Sequence, residues 1–280
     1  MTTSQTRRRL PSALLWLVLT AGGVAFAAVL TYAVVSALKE PGDVLTVPLS
    51  WWPDRPMWGN LVLPFTETPF ARYFLNSVVV GVAVTLLNVV TCTLAGYSFS
   101  KFSYPGRDTA FVVVLATLMV PLEVIYVPLY ALVYDLGWVN SFAGLIVPAG
   151  TSAFGIFLMR QSIDAVPDEL IEAARLDGAG VVRTLLQIVA PLLRGPVAAL
   201  ALFIFLMNWD SHLWPLLVGS DDEHRTLPVG LAAMQANNLG ASGLPMMMAA
   251  AVLALLPTVL LFVSLQRRFV EGLTMSAGIR

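Results

Sequence analysis

The chain has 280 residues, 58% of them hydrophobic and only 12% charged, about half the charged share of a soluble domain, which argues against a water-soluble fold. The formal net charge is -1 and no basic block is longer than Arg7-Arg8-Arg9, so there is no electrostatic footprint for a phosphate backbone and nucleic acid is excluded as a partner. One cysteine, Cys92, and two separated histidines, His212 and His224, exclude an intrachain disulfide and a thiolate or imidazole metal site.

A helix rising about 1.5 Å per residue needs about 20 largely apolar residues to cross a hydrocarbon core of about 30 Å. After a tail over residues 1–11, the first such window runs from Ser12 to Leu38. It also reads as a cleaved signal peptide, because Arg7 to Arg9 precede it and Ala25-Phe26-Ala27 is a small-residue site of the right kind. Against that, the apolar run continues past Ala27 to Leu38. An external segment over 39–71 follows, in which Trp51, Trp52 and Trp58 suit either a membrane interface or a docking surface for an external partner. The core over 72–280 holds five more windows: Tyr73 to Ser98, Thr109 to Tyr134, Ser141 to Met159, Val197 to Val218 and Pro245 to Leu265.

The expected fold is therefore an all-α integral membrane protein with six transmembrane helices. Six spans put both termini on one side, and that side then holds 12 of the 16 Lys and Arg residues. Basic residues accumulate in cytoplasmic loops, so the N and C termini are expected in the cytoplasm.

Within the third window, Pro121 and Pro128 each remove a helical donor. Lipid tolerates this only where neighbouring helices or water satisfy the freed carbonyls, so this span is expected to kink and face protein. Glu123 lies between the prolines and Asp210 lies in the fifth window. A carboxylate at mid-bilayer costs about 2.5 to 3.5 kcal/mol on insertion scales. Both residues fit an aqueous pathway, or a protonated or hydrogen-bonded packing contact.

The loop between the fourth and fifth windows, residues 164–195, is longer than two adjacent helices need. Pro167 followed by Asp168 and Glu169 opens a helix, since proline suits the first turn and carboxylates favour the positive end of the dipole. Asp177-Gly178 closes it, and a second short helix is expected from about Val181 to Val189, stopped by Pro191. Val181, Val182, Leu185, Leu186, Ile188 and Val189 form an apolar face on that second helix. Ala173 and Ala174 present little bulk beside Glu172, Arg175 and Asp177, so a partner backbone can approach closely. The hairpin reads as a docking element for a partner, or as an amphipathic element resting on the bilayer surface.

The order Glu172-Ala173-Ala174, three residues, Gly178, nine residues, Ile188, one residue, then Ala190 and Pro191 resembles the EAA loop of bacterial ABC importer permeases. In that family a leucine usually precedes the final proline, where this chain has Ala190. Asn76-Ser77, Gly96-Tyr97 and Val166-Pro167-Asp168-Glu169-Leu170 are similar to carbohydrate-importer permeases. Leu213-Trp214-Pro215-Leu216-Leu217, Arg225-Thr226-Leu227-Pro228-Val229-Gly230-Leu231 and Gln266 to Thr274 resemble the second permease of oligosaccharide and glycerol-phosphate importers, the MalG type. Where relatives usually carry Trp-Asn followed by an acid, this chain reads Trp209-Asp210-Ser211-His212.

The resemblance implies a permease that imports a sugar, polyol or glycerol phosphate and pairs with a second, homologous permease. It implies two ATPase subunits that bind ATP and Mg, an external solute-binding protein, and coupling through Glu172, Ala173, Ala174, Asp177 and Gly178. No cofactor is expected in this chain itself. The chain has no Gly-x-x-x-x-Gly-Lys-Ser/Thr phosphate loop, so the ATPase is expected elsewhere. Glu123, Asn208, Trp209 and Asp210 are the candidate pathway residues, since aromatics stack on sugar rings and polar groups bond hydroxyls; Trp214 reads equally as an interfacial anchor. An ion-driven carrier would have only Glu123 and Asp210 as intramembrane sites. A catalytic residue is not expected, because Ser211 and His212 are neighbours that do not face each other on a helix.

Overall fold

The computed structural model describes residues 12–48, 50–237 and 243–276, and all regular structure among them is helical. The expected tail over 1–11 lies outside these residues, and the Gln266 to Thr274 stretch is described only as helical backbone. Contacts divide the chain into one unit up to Thr68 together with Met234–Leu253, and a second over Pro69–Ala233 together with the segment from Ala254.

The first unit opens with α1 (Ser12–Ala37), whose apolar side chains are largely exposed from Leu14 to Val34, as a lipid-facing surface requires. Just beyond it Lys39 is fully buried, its ammonium donating to the Ser50 carbonyl at 2.6 Å and lying 4.7 Å from the centre of the Tyr32 ring. Asn60 donates to the carbonyls of Ala37 and Lys39 at 3.0 and 2.8 Å, closing the end of α1 against the segment that leads to α2 (Leu63–Glu67). Trp51, Trp52 and Trp58 stay exposed.

The second unit is built on α3 (Phe70–Lys101), an unbroken helix of 32 residues. Val80, Val84, Asn88, Cys92 and Gly96 recur at every fourth position and are all buried, forming one face by the 3.6-residue period. Leu75, Val79, Leu86, Val90 and Leu94 on other faces are exposed. One helix, long and apolar enough to cross a membrane, thus covers the whole of the second window and runs beyond it.

The remaining windows are broken in ways that periodicity does not register. The third divides into α4 (Arg107–Ala116) and α5 (Leu122–Asp135), bent by 103° at Pro121. This is a sharper departure than a kink, and Pro128 sits inside α5 without breaking it. Tyr126 packs on Trp214 with ring centres 5.5 Å apart, whereas Leu122, Val124 and Val127 are uncovered by the rest of this chain. The fourth window is not one helix: α6 (Phe142–Ile146) ends before Pro148, and α7 (Ala153–Asp164) starts afresh. Ser141 and Ser152 cap the two helices by accepting from the Gly144 and Gly155 amides. Asn88 and Thr91 donate to the carbonyls of Ala149 and Gly150 at 2.7 and 2.9 Å, so the break's polar backbone is satisfied by α3, as a low-dielectric setting demands.

The hairpin comprises α8 (Asp168–Leu176), then α9 (Val181–Thr184), a π-helical turn over Leu185–Val189 and α10 (Ala190–Leu192). The expected stop at Pro191 comes one residue later, after Leu192, where the chain bends by 82° into the next helix. A π-helical turn widens the helix, and here one lies immediately before the missing donor, letting the chain continue to Leu192. The fifth window becomes α11 (Arg194–Trp209) and α12 (Leu213–Val218), separated at Asp210 to His212. α13 (Leu227–Asn237) and α14 (Leu244–Ser276) complete the chain, the last carrying its apolar stretch over Leu244–Ser264. Three helices among the described residues are long and apolar enough to cross a membrane, or five if the bent pairs Arg107–Met119 with Leu122–Asp135 and Val181–Leu192 with Arg194–Trp209 each count as one.

Candidate functional site

The hairpin is built by local backbone chemistry. Pro167 sits at the N-cap of α8 in extended geometry, and Asp168 and Glu169 occupy the first turn, where the unpaired amides of the helix favour negative charge. Arg175 lies in the last turn, at the end that favours positive charge. Gly178 adopts φ +80°, a left-handed geometry that L side chains rarely take, and its amide donates to the Arg175 carbonyl at 3.0 Å. A Cβ at Gly178 would meet nothing within 4 Å, so a side chain there costs backbone strain and not space.

α8 divides cleanly by side. Ile171 and Ala174 are buried, while Glu172, Ala173, Arg175, Asp177 and Gly178 are exposed. Of the two small residues expected side by side on the docking face, only Ala173 is there; Ala174 packs inward. Leu176, which the sequence reading passed over, is 89% exposed at the tip. Its signal was present: an aliphatic residue between Arg175 and Asp177 belongs to neither the polar run nor a buried face. The second arm divides likewise. Leu185 and Val189 are buried, but Val181, Val182 and Leu186 are exposed, so the six residues expected as one apolar face are shared between the interior and the surface.

The root of the hairpin is fixed to the end of α3. Lys101, the last residue of that helix, has a side chain only 7% exposed and donates to the Val166 carbonyl at 2.8 Å and to Asp168 Oδ1 at 2.6 Å. Ser100 donates to Asp164 Oδ1 at 2.5 Å. Gly96 lets α7 approach so closely that a Cβ would lie 2.8 Å from the Met159 Cβ and the Arg160 amide nitrogen. The Arg160 guanidinium lies over the Phe111 ring at 3.9 Å, a cation-π arrangement.

The candidate pathway residues fare differently. Trp209 is buried, its indole N–H donating to the Ala254 carbonyl at 3.2 Å and its rings packed between Phe74 and Phe205. Asn208 turns its amide onto the Ile204 carbonyl at 2.9 Å, one helical turn back. Trp214 is buried and donates to the Gly144 carbonyl, so it is a core residue and not an interfacial anchor. Glu123 and Asp210 are exposed, each beside a break in its helix. The structure thus separates two carboxylates facing outward from an aromatic and an amide engaged inside.

Asn76 and Ser77 acquire a physical role that their sequence position did not state. Asn76 donates to the carbonyls of Glu223 and Arg225 at 2.8 and 3.0 Å, and Ser77 Oγ accepts from the Leu227 amide at 2.8 Å. The Tyr73 hydroxyl donates to Asp222 at 3.0 Å and accepts from Arg225 at 3.3 Å. Asn140, at φ 53°, accepts through its side chain from the amides of Ser220 and Asp221. The loop over 219–226 is therefore held by the start of α3 and by Asn140.

Residues 88–274 match the family of binding-protein-dependent transport system inner membrane components. The chain belongs to that family. It is the permease component of an ABC importer of the carbohydrate-uptake type, it resides in the inner membrane, and ATP hydrolysis is a task of other subunits. This family member is similar to the sn-glycerol-3-phosphate transport system permease protein UgpE of Pectobacterium atrosepticum, 36% identical over 245 residues, covering 85% of this chain and 87% of that protein. The corresponding protein of Agrobacterium fabrum is 33% identical over 264 residues, covering 92% and 94%. In fold, the permease resembles a chain from the crystal structure of a bacterial ABC transporter involved in the import of the acidic polysaccharide alginate. That match has a TM-score of 0.84 at 18% identity and covers 96% of this chain and 100% of the other.

Proposed function

We propose that this permease forms half of a translocation pathway for a sugar, or a related polyol or glycerol-phosphate substrate, and is driven through its hairpin. The relatives' naming as glycerol-3-phosphate permeases supports that substrate range. The chain pairs with a second, homologous permease, two ATPase subunits that bind ATP and Mg, and an external solute-binding protein. Six spans with both termini in the cytoplasm are the arrangement that best accounts for 12 of 16 basic residues on one side. The pieces broken at Pro121, Pro148 and Asp210 then count within spans three, four and five, and the hairpin faces the cytoplasm.

The observation that carries this reading is the tip of α8: Glu172, Ala173, Leu176, Asp177 and Gly178 all point away from the chain's own core. A near-fully exposed leucine ringed by charges is what a protein groove accepts, with an apolar centre and a polar rim. Glu172, Ala173, Asp177 and Gly178 contact the ATPase, while Ala174 seats α8 on the rest of the permease. Glu123 and Asp210 line the aqueous path, because lipid-facing carboxylates would be costly. Asn208 and Trp209 support that lining from behind. Replacing Glu172 by Ala or Gly178 by Asp uncouples transport while the chain still inserts in the membrane. Uptake by the assembled importer together with co-purification of the ATPase subunits checks this, and wild-type values for both in the Gly178→Asp variant contradict it.

A further inference from the structure

A long helix transmits a displacement only if it is unbroken and held at both ends. Among the long helices described in the second unit, α3 meets both conditions. It runs 32 residues without a proline, about 48 Å at 1.5 Å per residue. The alternatives contain soft points: α4 and α5 meet at 103°, the second arm of the hairpin meets α11 at 82° across Leu193, and α14 contains Pro257. At one end of α3, Lys101 grips the entry to α8 through a carbonyl and a carboxylate. A nearly buried ammonium with two charge-assisted hydrogen bonds resists displacement far better than apolar contact, which is non-directional. At the other end, Asn76 and Ser77 hold the backbone of the loop over 219–226 and the first residue of α13 by three hydrogen bonds. None of these bonds is needed to complete the helix itself.

We infer that α3 is the strut through which the state of the hairpin is read at the loop over 219–226, with Lys101 and Asn76 as its two positioning residues. The inference rests on the reading above that the hairpin docks on an ATPase at the cytoplasmic face; a helix of 32 residues then carries its opposite end to the external side, where the solute-binding protein engages. Movement of α8 pulls on Lys101, shifts α3 along its axis and displaces the loop held by Asn76. Binding free energies couple reciprocally, so engagement of the loaded binding protein at that loop alters the seating of α8 by the same route.

The test uses the whole importer in proteoliposomes, measuring ATP hydrolysis with and without its loaded solute-binding protein. Lys101→Met keeps the buried stem and removes the donors; Asn76→Leu keeps the volume and removes the amide. Each lowers the stimulated rate by about fivefold or more, the lower end of ordinary inter-site couplings, and leaves the basal rate and subunit composition as in wild type. Lys101→Arg restores stimulation, which distinguishes a donor requirement from general loosening. The double variant falls no further than the worse single one, as expected for two residues on one route. Where Lys101→Met does not assemble, Asp168→Asn, which keeps the carbonyl bond, gives a smaller loss in the same direction. Wild-type stimulation in Lys101→Met or, failing assembly, in Asp168→Asn, or losses that multiply in the double variant, overturns the strut. Glu172 and Gly178 variants report on docking itself, so a strut that fails in a complex still holding its ATPases leaves that reading intact.

Discussion

The hairpin and the broken segments around Asp210 and Pro121 hold the chain's candidate functional residues in opposite ways. In the hairpin, the backbone is specified residue by residue, by Pro167 at the N-cap, acids in the first turn and Gly178 at φ +80°, and the side chains beyond it are free to meet a partner. At the broken segments, conspicuous side chains are already engaged: Trp209 with Ala254, Asn208 with Ile204 and Trp214 with Gly144. Of the candidate pathway residues, Glu123 and Asp210 are the two left exposed there. Chemically eye-catching residues in an apolar helix thus divide by whether their polar atoms are already bonded within the chain, and only those not so bonded remain candidates for the pathway.

Four substitutions test that contrast. Leu176→Asp places a charge at the centre of the proposed docking face and lowers uptake by about tenfold or more, equivalent to at least about 1.4 kcal/mol of docking free energy, with loss of ATPase subunits on purification. Uptake and co-purification assays measure it, and retention of both would remove the distinction drawn for the hairpin. Gly96→Val forces side-chain atoms against Met159 and the Arg160 backbone, an overpacking cost of about 1 to 3 kcal/mol. A lowered unfolding midpoint in detergent reports it. Trp209→Phe loses the bond to Ala254 and costs about 1 kcal/mol of stability, while the relative uptake of different sugars stays as in wild type. A changed preference would return Trp209 to the pathway. Asp210→Asn is the converse: the unfolding midpoint moves by no more than about 0.5 kcal/mol in equivalent stability, as for a surface position, and the uptake rate changes.

The parts legible in the sequence were those fixed by local rules. α8 begins and ends where Pro167 and Gly178 place it, because caps and left-handed closures act over a few residues. The long apolar helices α1, α3 and α14 were legible from length alone. The breaks were not. Pro121 signalled a kink, but a 103° turn depends on what α12 offers α5, and the division of the fourth window depends on Asn88 and Thr91 from α3 receiving the carbonyls of Ala149 and Gly150. The inward turn of Ala174 and the grip of Lys101 on Val166 are tertiary facts too, linking residues that no periodicity joins. Asn76-Ser77 and Arg225 to Leu231 were visible as motifs, yet that one holds the other appears only when both are placed in space.

Cys92 is buried, so a Leu176→Cys variant carries one accessible thiol at the hairpin tip, and its labelling by a membrane-impermeant maleimide tests the docking of the hairpin most directly. Labelling from the cytoplasmic face of inverted membrane vesicles, lost when the ATPase subunits are present and regained when they are stripped away, is the predicted result. Labelling from the external face, or labelling that the assembled ATPases leave unchanged, would contradict it.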